Sequence, residues 1–346
     1  MPKRTPKKLA TVAASSDTQI LSEGLGHGKE VATAALARRG KALAVAGNQG
    51  LLIAEGDSWF DYPGDDVLAI LERRFSYRVE SVAHHGDTVE SMAYDPTQLK
   101  KLVRTFEHVK QDGRVPRAIL LSGGGNDIVG DEFAVLLNHA RSGLKPLNQN
   151  VVEGILGERL RFAIASLIGT VTELSQRLFE KKVPIFLHGY ARAVPDGRGF
   201  LGGFWVLPGP WMRPGFAAKA YEVDGDNRDI VQDLIDRFNA LLASIAAASG
   251  FEHVTYVDVR PLLSNQLPSA YLKDWANELH PTDPAFGRVA EAFHRAIQLR
   301  APMPPGAGVT KGPEKSTTRT SSSGIRPAVP PRRTGRAVKA RREVSK

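Results

Sequence analysis

Apolar residues fall into two kinds of run along this chain. Short, nearly unbroken runs occur at Leu51–Ala54, Arg78–Ala83, Ala118–Leu121, Pro184–Leu187 and Val254–Val257. Each has the length of a strand, and most are aliphatic or β-branched, as in strands covered on both faces. Between them apolar residues recur every three or four positions, the spacing of one helix face. Val67, Ile70 and Leu71 form one such set. Leu156, Leu160, Ile164, Leu167, Val171, Leu174 and Leu178 form another within about residues 153–180, and Ile230, Leu234, Phe238, Leu241 and Ile245 a third within 226–248. The last set is Phe286, Val289, Ala290, Phe293 and Ile297. It begins with Asp283, suited to capping, and Pro284, suited to the first helical position. A helix of modest amphipathicity is also expected over Lys29–Ala46.

Strands alternating with helices predict an α/β fold with a parallel sheet covered on both faces. Five strands give a three-layer α/β/α sandwich, and right-handed crossovers make a flavodoxin-like strand order the simplest topology. Ligand sites in such folds lie beyond the carboxyl ends of the strands. The expected organisation is a flexible basic leader at 1–28, a folded domain at 29–300 and a disordered basic tail at 301–346, which is rich in Pro, Ser, Thr, Lys and Arg. One segment, Arg192–Asp224, interrupts the alternation. It carries Phe200, Phe204, Trp205, Trp211 and Phe216 among glycines and prolines. Following the fourth strand, it reads either as a lid or substrate wall or as an insertion packing its own aromatics.

Composition changes this picture little. The chain has 346 residues and no cysteine, which removes disulfides, thiolate metal sites and cysteine nucleophiles. The net charge of +9 is local: residues 301–346 hold eleven Lys/Arg and two Asp/Glu, so residues 1–300 sum to zero. The tail suits electrostatic contact with nucleic acid or an anionic surface, or simple solvation. It has no aromatic residue for base stacking. No run approaches the ~20 apolar residues of a membrane span, and no apolar core follows the basic start as a secretory signal requires. A cytoplasmic location is the expectation.

The chemistry lies at the predicted strand ends. The first strand runs into Gly56-Asp57-Ser58-Trp59, where a sharp turn can expose a serine hydroxyl. The second runs into His84-His85-Gly86-Asp87-Thr88, and the third into Gly123-Gly124-Gly125-Asn126-Asp127. Glycines there let backbone approach a ligand closely, and no Lys follows as a nucleotide P-loop requires. Before the last helix stands Asn277-Glu278-Leu279-His280-Pro281.

Together these four blocks, in this order over about residues 51–299, resemble the SGNH hydrolases, also called GDSL esterases and lipases. The resemblance implies Ser58 as nucleophile and His280 as its base. It implies an oxyanion hole from the Ser58 N–H, the Gly86 N–H and the Asn126 side-chain amide, with Asp57, Gly124 and Asp127 in support. It implies a carboxylic ester hydrolase acting through a Ser58 acyl-enzyme on a small-molecule, lipid or carbohydrate ester, with no metal or organic cofactor. Acyl transfer from the same site, and a non-catalytic binding module with a working basic tail, are the alternatives.

One position departs from the family pattern: Asn277 stands where an Asp precedes the histidine by three residues. In the serine-protease triad, Asp→Asn lowers turnover about 10⁴-fold, yet Cys-His-Asn sites work. Asn277, Glu278, Asp274 or a backbone carbonyl are the candidates for orienting His280, with Asn277 or a carbonyl favoured by the register. His84 and His85 are expected as partly exposed polar residues or cleft lining, Trp59 and Phe60 as buried or acyl-pocket residues, and Asp87 and Asp127 as braces of the site loops.

Overall fold

The structure is a computed structural model that describes residues 49–200, 208–222 and 226–303. The expected leader, the Lys29–Ala46 helix and all of the basic tail beyond Met303 lie outside the described residues, as do Phe204 and Trp205.

Five parallel strands form one sheet in the order β2-β1-β3-β4-β5: β1 Leu51–Gly56, β2 Arg78–Ser81, β3 Ala118–Ser122, β4 Ile185–His188 and β5 Val254–Val257. The three central strands are buried at every residue, whereas the edge strands β2 and β5 keep partly exposed positions. The sequence reflects this difference. Leu51–Ala54 and Ala118–Leu121 are unbroken apolar runs, while Arg78-Val79-Glu80-Ser81 has a single apolar residue, in keeping with its exposed edge. β2 ends two residues short of the expected Ala83. Its ladder is prolonged singly, by Val82 N–H to Ala54 O (3.0 Å) and His84 N–H to Gly56 O (2.9 Å). β4 is shifted one residue, to Ile185–His188.

Seven α-helices of six or more residues are described: α1 Val67–Phe75, α2 Val89–Tyr94, α3 Pro96–Gln111, α4 Arg161–Phe179, α5 Arg213–Ala218, α6 Arg228–Ala246 and α7 Asp283–Arg300. α1 packs with α7 on one side of the sheet; α3, α4 and α6 pack in sequence on the other. This is what right-handed crossovers demand. The chain moves outward from β1 to β2, then jumps back past β1 to β3 and continues the other way, so the helices change face. The reversal between β1 and β3 is the switch point where such sheets bind ligands.

Three local differences from the sequence reading have physical causes. α3 is anchored by Asp95, whose carboxylate takes the N–H groups of Thr97 (2.8 Å) and Gln98 (2.9 Å), with Pro96 first. Leu102, Phe106 and Val109 form its buried stripe. The helical stretch before α4 is not one α-helix: Gln149–Val152 is α-helical and Glu153–Leu160 is π-helical, so its turns are wider than the period of 3.6 assumes. At α7, Thr282 rather than Asp283 is the capping residue, and Asp283 is the first helical residue. The Thr282 hydroxyl donates to Lys273 O (2.8 Å) rather than capping. Among the described residues no helix is long and apolar enough to cross a membrane.

Candidate active site at the sheet switch point

Asp57 builds the turn that presents Ser58. Its N–H bonds Ser122 O (3.1 Å), continuing the β1–β3 ladder, and its carbonyl takes the N–H groups of Phe60 and Asp61. Its buried carboxylate takes the Trp59 N–H (3.1 Å) and the Ser122 hydroxyl (2.8 Å) on one oxygen and the Tyr190 hydroxyl on the other. Both oxygens are thus occupied below the turn, and Ser58, partly exposed, is left on top. Trp59 and Phe60 are buried, and the Trp59 indole donates to Leu279 O (3.1 Å), tying the serine turn to the histidine loop.

His280 Nε2 lies 2.8 Å from Ser58 Oγ, and His280 Nδ1 lies 2.9 Å from Asn277 Oδ1. The same amide oxygen also takes the backbone N–H groups of Leu279 (3.0 Å) and His280 (2.9 Å), an Asx turn that sets the loop. Two backbone N–H donors face that atom, so it must be the oxygen. The amide nitrogen faces the Tyr62 hydroxyl at 3.2 Å. The imidazole therefore carries its proton on Nδ1 and offers the Nε2 lone pair to Ser58. The Tyr62 ring stacks on it (centroids 4.4 Å apart, planes at 25°), and Trp211 meets it edge-on at 5.5 Å. Burial alone pushes the His280 pKa down from 6.5 to about 3, because no carboxylate stands by it to offset the desolvation.

The other candidates for orienting His280 are engaged elsewhere. Glu278 is fully buried; its carboxylate takes the N–H groups of Gly197 (3.0 Å), Trp211 (2.6 Å) and Met212 (2.8 Å), and its own N–H donates to Arg198 O (3.1 Å). It holds the aromatic segment against the histidine loop, and burial raises its pKa. Asp274 takes the Ser264 N–H (2.6 Å) and Arg288 Nη2 (2.5 Å). No backbone carbonyl is needed, since Nδ1 already has the Asn277 oxygen.

Gly86 sits at the corner of a turn closed by Asp87 N–H to His84 O (3.2 Å), with φ +86°, which favours glycine. Among the described residues neither its N–H nor that of Ser58 meets a protein acceptor. Asn126 Nδ2 gives one proton to Asp87 O (2.9 Å), which leaves the second available. Gly124 has φ +107°, and a Cβ there would stand 2.2 Å from the Phe238 ring, so a side chain is barred. Asp127 takes the Val89 N–H (2.9 Å), locking the third block to the start of α2; its pKa is raised to about 6 by burial.

Several participants carried no sequence signal. Gln98 Nε2 lies within bonding distance of Glu55 Oε1 (3.0 Å), Asp87 Oδ2 (2.9 Å) and Val82 O (3.3 Å), so one amide joins the ends of β1 and β2 to the Gly86 turn. Asp87 thus braces the turn through its carboxylate as well as its backbone. Ser122, His188 and Tyr190 hold Asp57 from below, with His188 Nε2 2.9 Å from Ser122 Oγ. Each is a single polar residue beside an apolar run, and only the strand register puts them together. His84 and His85 are exposed and stacked at 4.5 Å, with His85 Nδ1 3.0 Å from Asp61 Oδ2. Among the described residues no group of three His, Asp or Glu side chains could hold a metal ion. In the described parts of Arg192–Asp224, Phe216 packs into the core against Phe133 (5.1 Å), while Trp211 meets His280 and Phe200 meets Tyr62.

No family model matches this sequence, and no curated protein does. Similar solved structures include a catalytic mutant of Axe2, an acetylxylan esterase from Geobacillus stearothermophilus, at 14% identity and a TM-score of 0.39, covering 72% of this chain and 94% of that one. TesA is similar at 16% identity and a TM-score of 0.38, covering 72% and 98%. A GDSL-like lipase from Bacteroides thetaiotaomicron is similar at 13% identity and a TM-score of 0.35, covering 75% and 95%. These are likenesses of fold.

Proposed function

We propose that this chain is a carboxylic ester hydrolase that works through an acyl-enzyme on Ser58. The carrying observation is the Ser58–His280–Asn277 chain, with 2.8 and 2.9 Å contacts and one self-consistent set of protons. Ser58 Oγ attacks the ester carbonyl while its proton passes to His280 Nε2. The carbonyl oxygen, now negative, is met by the N–H groups of Ser58 and Gly86 and the second proton of the Asn126 amide. His280 then gives its proton to the departing alkoxide, leaving the acyl group on Ser58. A water repeats the sequence in reverse roles and releases the acid.

His280 must become an imidazolium partway through, in a buried site and beside an uncharged amide. Asn277 fixes the ring but supplies no charge. The Tyr62 face, 4.4 Å away, partly replaces it, since a cation over an aromatic face gains roughly 0.5–2 kcal/mol. A neutral orienting group with a stacked ring describes a working but weaker base than a carboxylate-backed one.

The test is labelling with a fluorophosphonate probe and hydrolysis of p-nitrophenyl esters, with Ser58→Ala and His280→Ala as controls. The wild-type protein is expected to label on Ser58 and both variants to lose labelling. A folded wild-type protein that neither labels nor hydrolyses any ester would overturn the proposal and favour a binding module on this fold.

A further inference from the structure

Beside Ser58 a small cavity enters the protein; Trp275 and Leu279 of the histidine loop border it, but His280 itself does not. Its walls are apolar: Ile128, Phe133, Met212, Val231, Leu234 and Ile235. Ser58 and Asn126 line its polar end, and neither His280 nor Tyr62 takes part in its lining. Asp57 also borders it, but both carboxylate oxygens are occupied by Trp59, Ser122 and Tyr190. The cavity therefore offers no free charge to a ligand along its length.

We infer that this cavity takes the acyl part of the ester, and that the preferred acyl group is short, apolar and unbranched. The inference rests on the hydrolase reading and narrows it. Its direction follows from the proton path. The leaving oxygen must sit beside His280 Nε2 to receive the proton, so the alcohol half lies on the histidine side. With the carbonyl oxygen turned to the Gly86 and Asn126 donors, the remaining substituent points into the cavity. Its length follows from volume. The cavity is small, about 40 Å³, so it takes a short chain beyond the carbonyl carbon. An acetyl group leaves the cavity unfilled. An eight-carbon chain exceeds it and meets Val231, Leu234 and Ile235 on α6, all buried. Sugars and charged acyl groups find no polar partner there.

The test is a chain-length series on the full-length protein. Each buried methylene is worth roughly fourfold, so p-nitrophenyl butyrate, two methylenes longer, should exceed acetate in kcat/KM by roughly 16-fold, with octanoate falling below butyrate. A second series, acetate esters of ethanol, butanol and octanol, should show no comparable optimum. Leu234→Ala enlarges the cavity and should move the acyl optimum to longer chains. If Ser58 labels and esters are cleaved, but acetate equals or exceeds butyrate, or the optimum follows the alcohol instead, the cavity assignment is overturned while the hydrolase reading stands. If Leu234→Ala leaves the optimum in place, the assignment is likewise overturned. A protein that neither labels nor cleaves any ester overturns both.

Discussion

Asn277 Oδ1 lies 2.9 Å from His280 Nδ1 and 2.9 Å from the backbone nitrogen of the same residue, so one uncharged oxygen fixes both the ring and the main chain of His280. An aspartate would make the same three contacts and present its second oxygen to the Tyr62 hydroxyl, which can rotate to donate. Asn277→Asp is therefore expected to fold normally and to raise kcat on p-nitrophenyl butyrate several-fold. A loss of more than tenfold would contradict this role.

The pH dependence follows from the base. The folded-state pKa of His280 is depressed from 6.5 to about 3 by burial, so the imidazole is already neutral in mild acid. kcat/KM is expected to hold nearly level from about pH 7 down to about pH 5, below the usual imidazole limb. In Asn277→Asp the new carboxylate favours the imidazolium, and the acid limb should move upward. A wild-type limb near the ordinary 6.5 would show that the ring is solvated in solution. The linked stability has a definite sign: the unfolded histidine binds the proton more readily, so this contribution is present above about 6.5 and is lost as pH falls toward 3.

Removing one oxyanion donor separates turnover from binding. Asn126→Ala is expected to lower kcat by about 10²–10³-fold with little change in KM, because the lost contact forms in the transition state. Gly86→Ala meets no atom within 4 Å, so its effect is purely conformational. Holding an L-residue at φ +86° costs about 1–2 kcal/mol. Its signature should be a lowered Tm together with a lowered kcat.

Glu278→Ala strips three N–H groups, that of Met212 buried and those of Gly197 and Trp211 partly buried, of their acceptor. Hydrogen bonds to a charged group are worth about 1.5–3 kcal/mol each, though not additively. A loss of roughly 3 kcal/mol and a Tm drop of about 6–12 °C are expected by thermal unfolding. An unchanged Tm would mean the segment is held by its aromatic packing alone.

Glu55 supplies the opposite pH signature. Buried under Gly56, with Oε2 unbonded, its carboxyl is raised from 4.5 to about 8, chiefly by desolvation. A raised folded-state value means that stability is fully present below about 4.5 and is lost as pH rises through 8. Glu55→Gln should flatten the decline in Tm between about pH 5 and 9, keeping at least part of the amide network of Gln98. Parallel wild-type and variant curves would rule out this linkage.

The sheet and the four site blocks could be read from the sequence because both rest on local rules. Strand identity follows from unbroken apolar runs, and a residue at the end of a parallel strand can lie only at one rim. Ser58 and His280 were readable as a pair only through their family-like order, since 222 positions separate them. The register favours Asn277 or a backbone carbonyl over Glu278 and Asp274, but not one of the first two over the other. The final choice depends on which carboxylates the loop amides and Arg288 have already engaged, a matter of side-chain direction over three residues. Gln98 was silent for the same reason: a lone amide on an amphipathic helix looks like surface until β1 and β2 are laid beside it. The π-helical stretch at Glu153–Leu160 escaped because its apolar spacing passes for α.

Asn277 and Glu278 are adjacent, yet one holds the His280 ring and the other holds the backbone of Gly197, Trp211 and Met212. Their shared peptide ties the His280 ring to those N–H groups. Exchanging residues 208–212 for another stretch would therefore move the His280 ring unless the newcomer presents matching N–H groups to Glu278. Val231 and Leu234 line the cavity from α6, outside that stretch. Evolution in the laboratory should find new substrate preferences through Val231 and Leu234 far more readily than through residues 208–212.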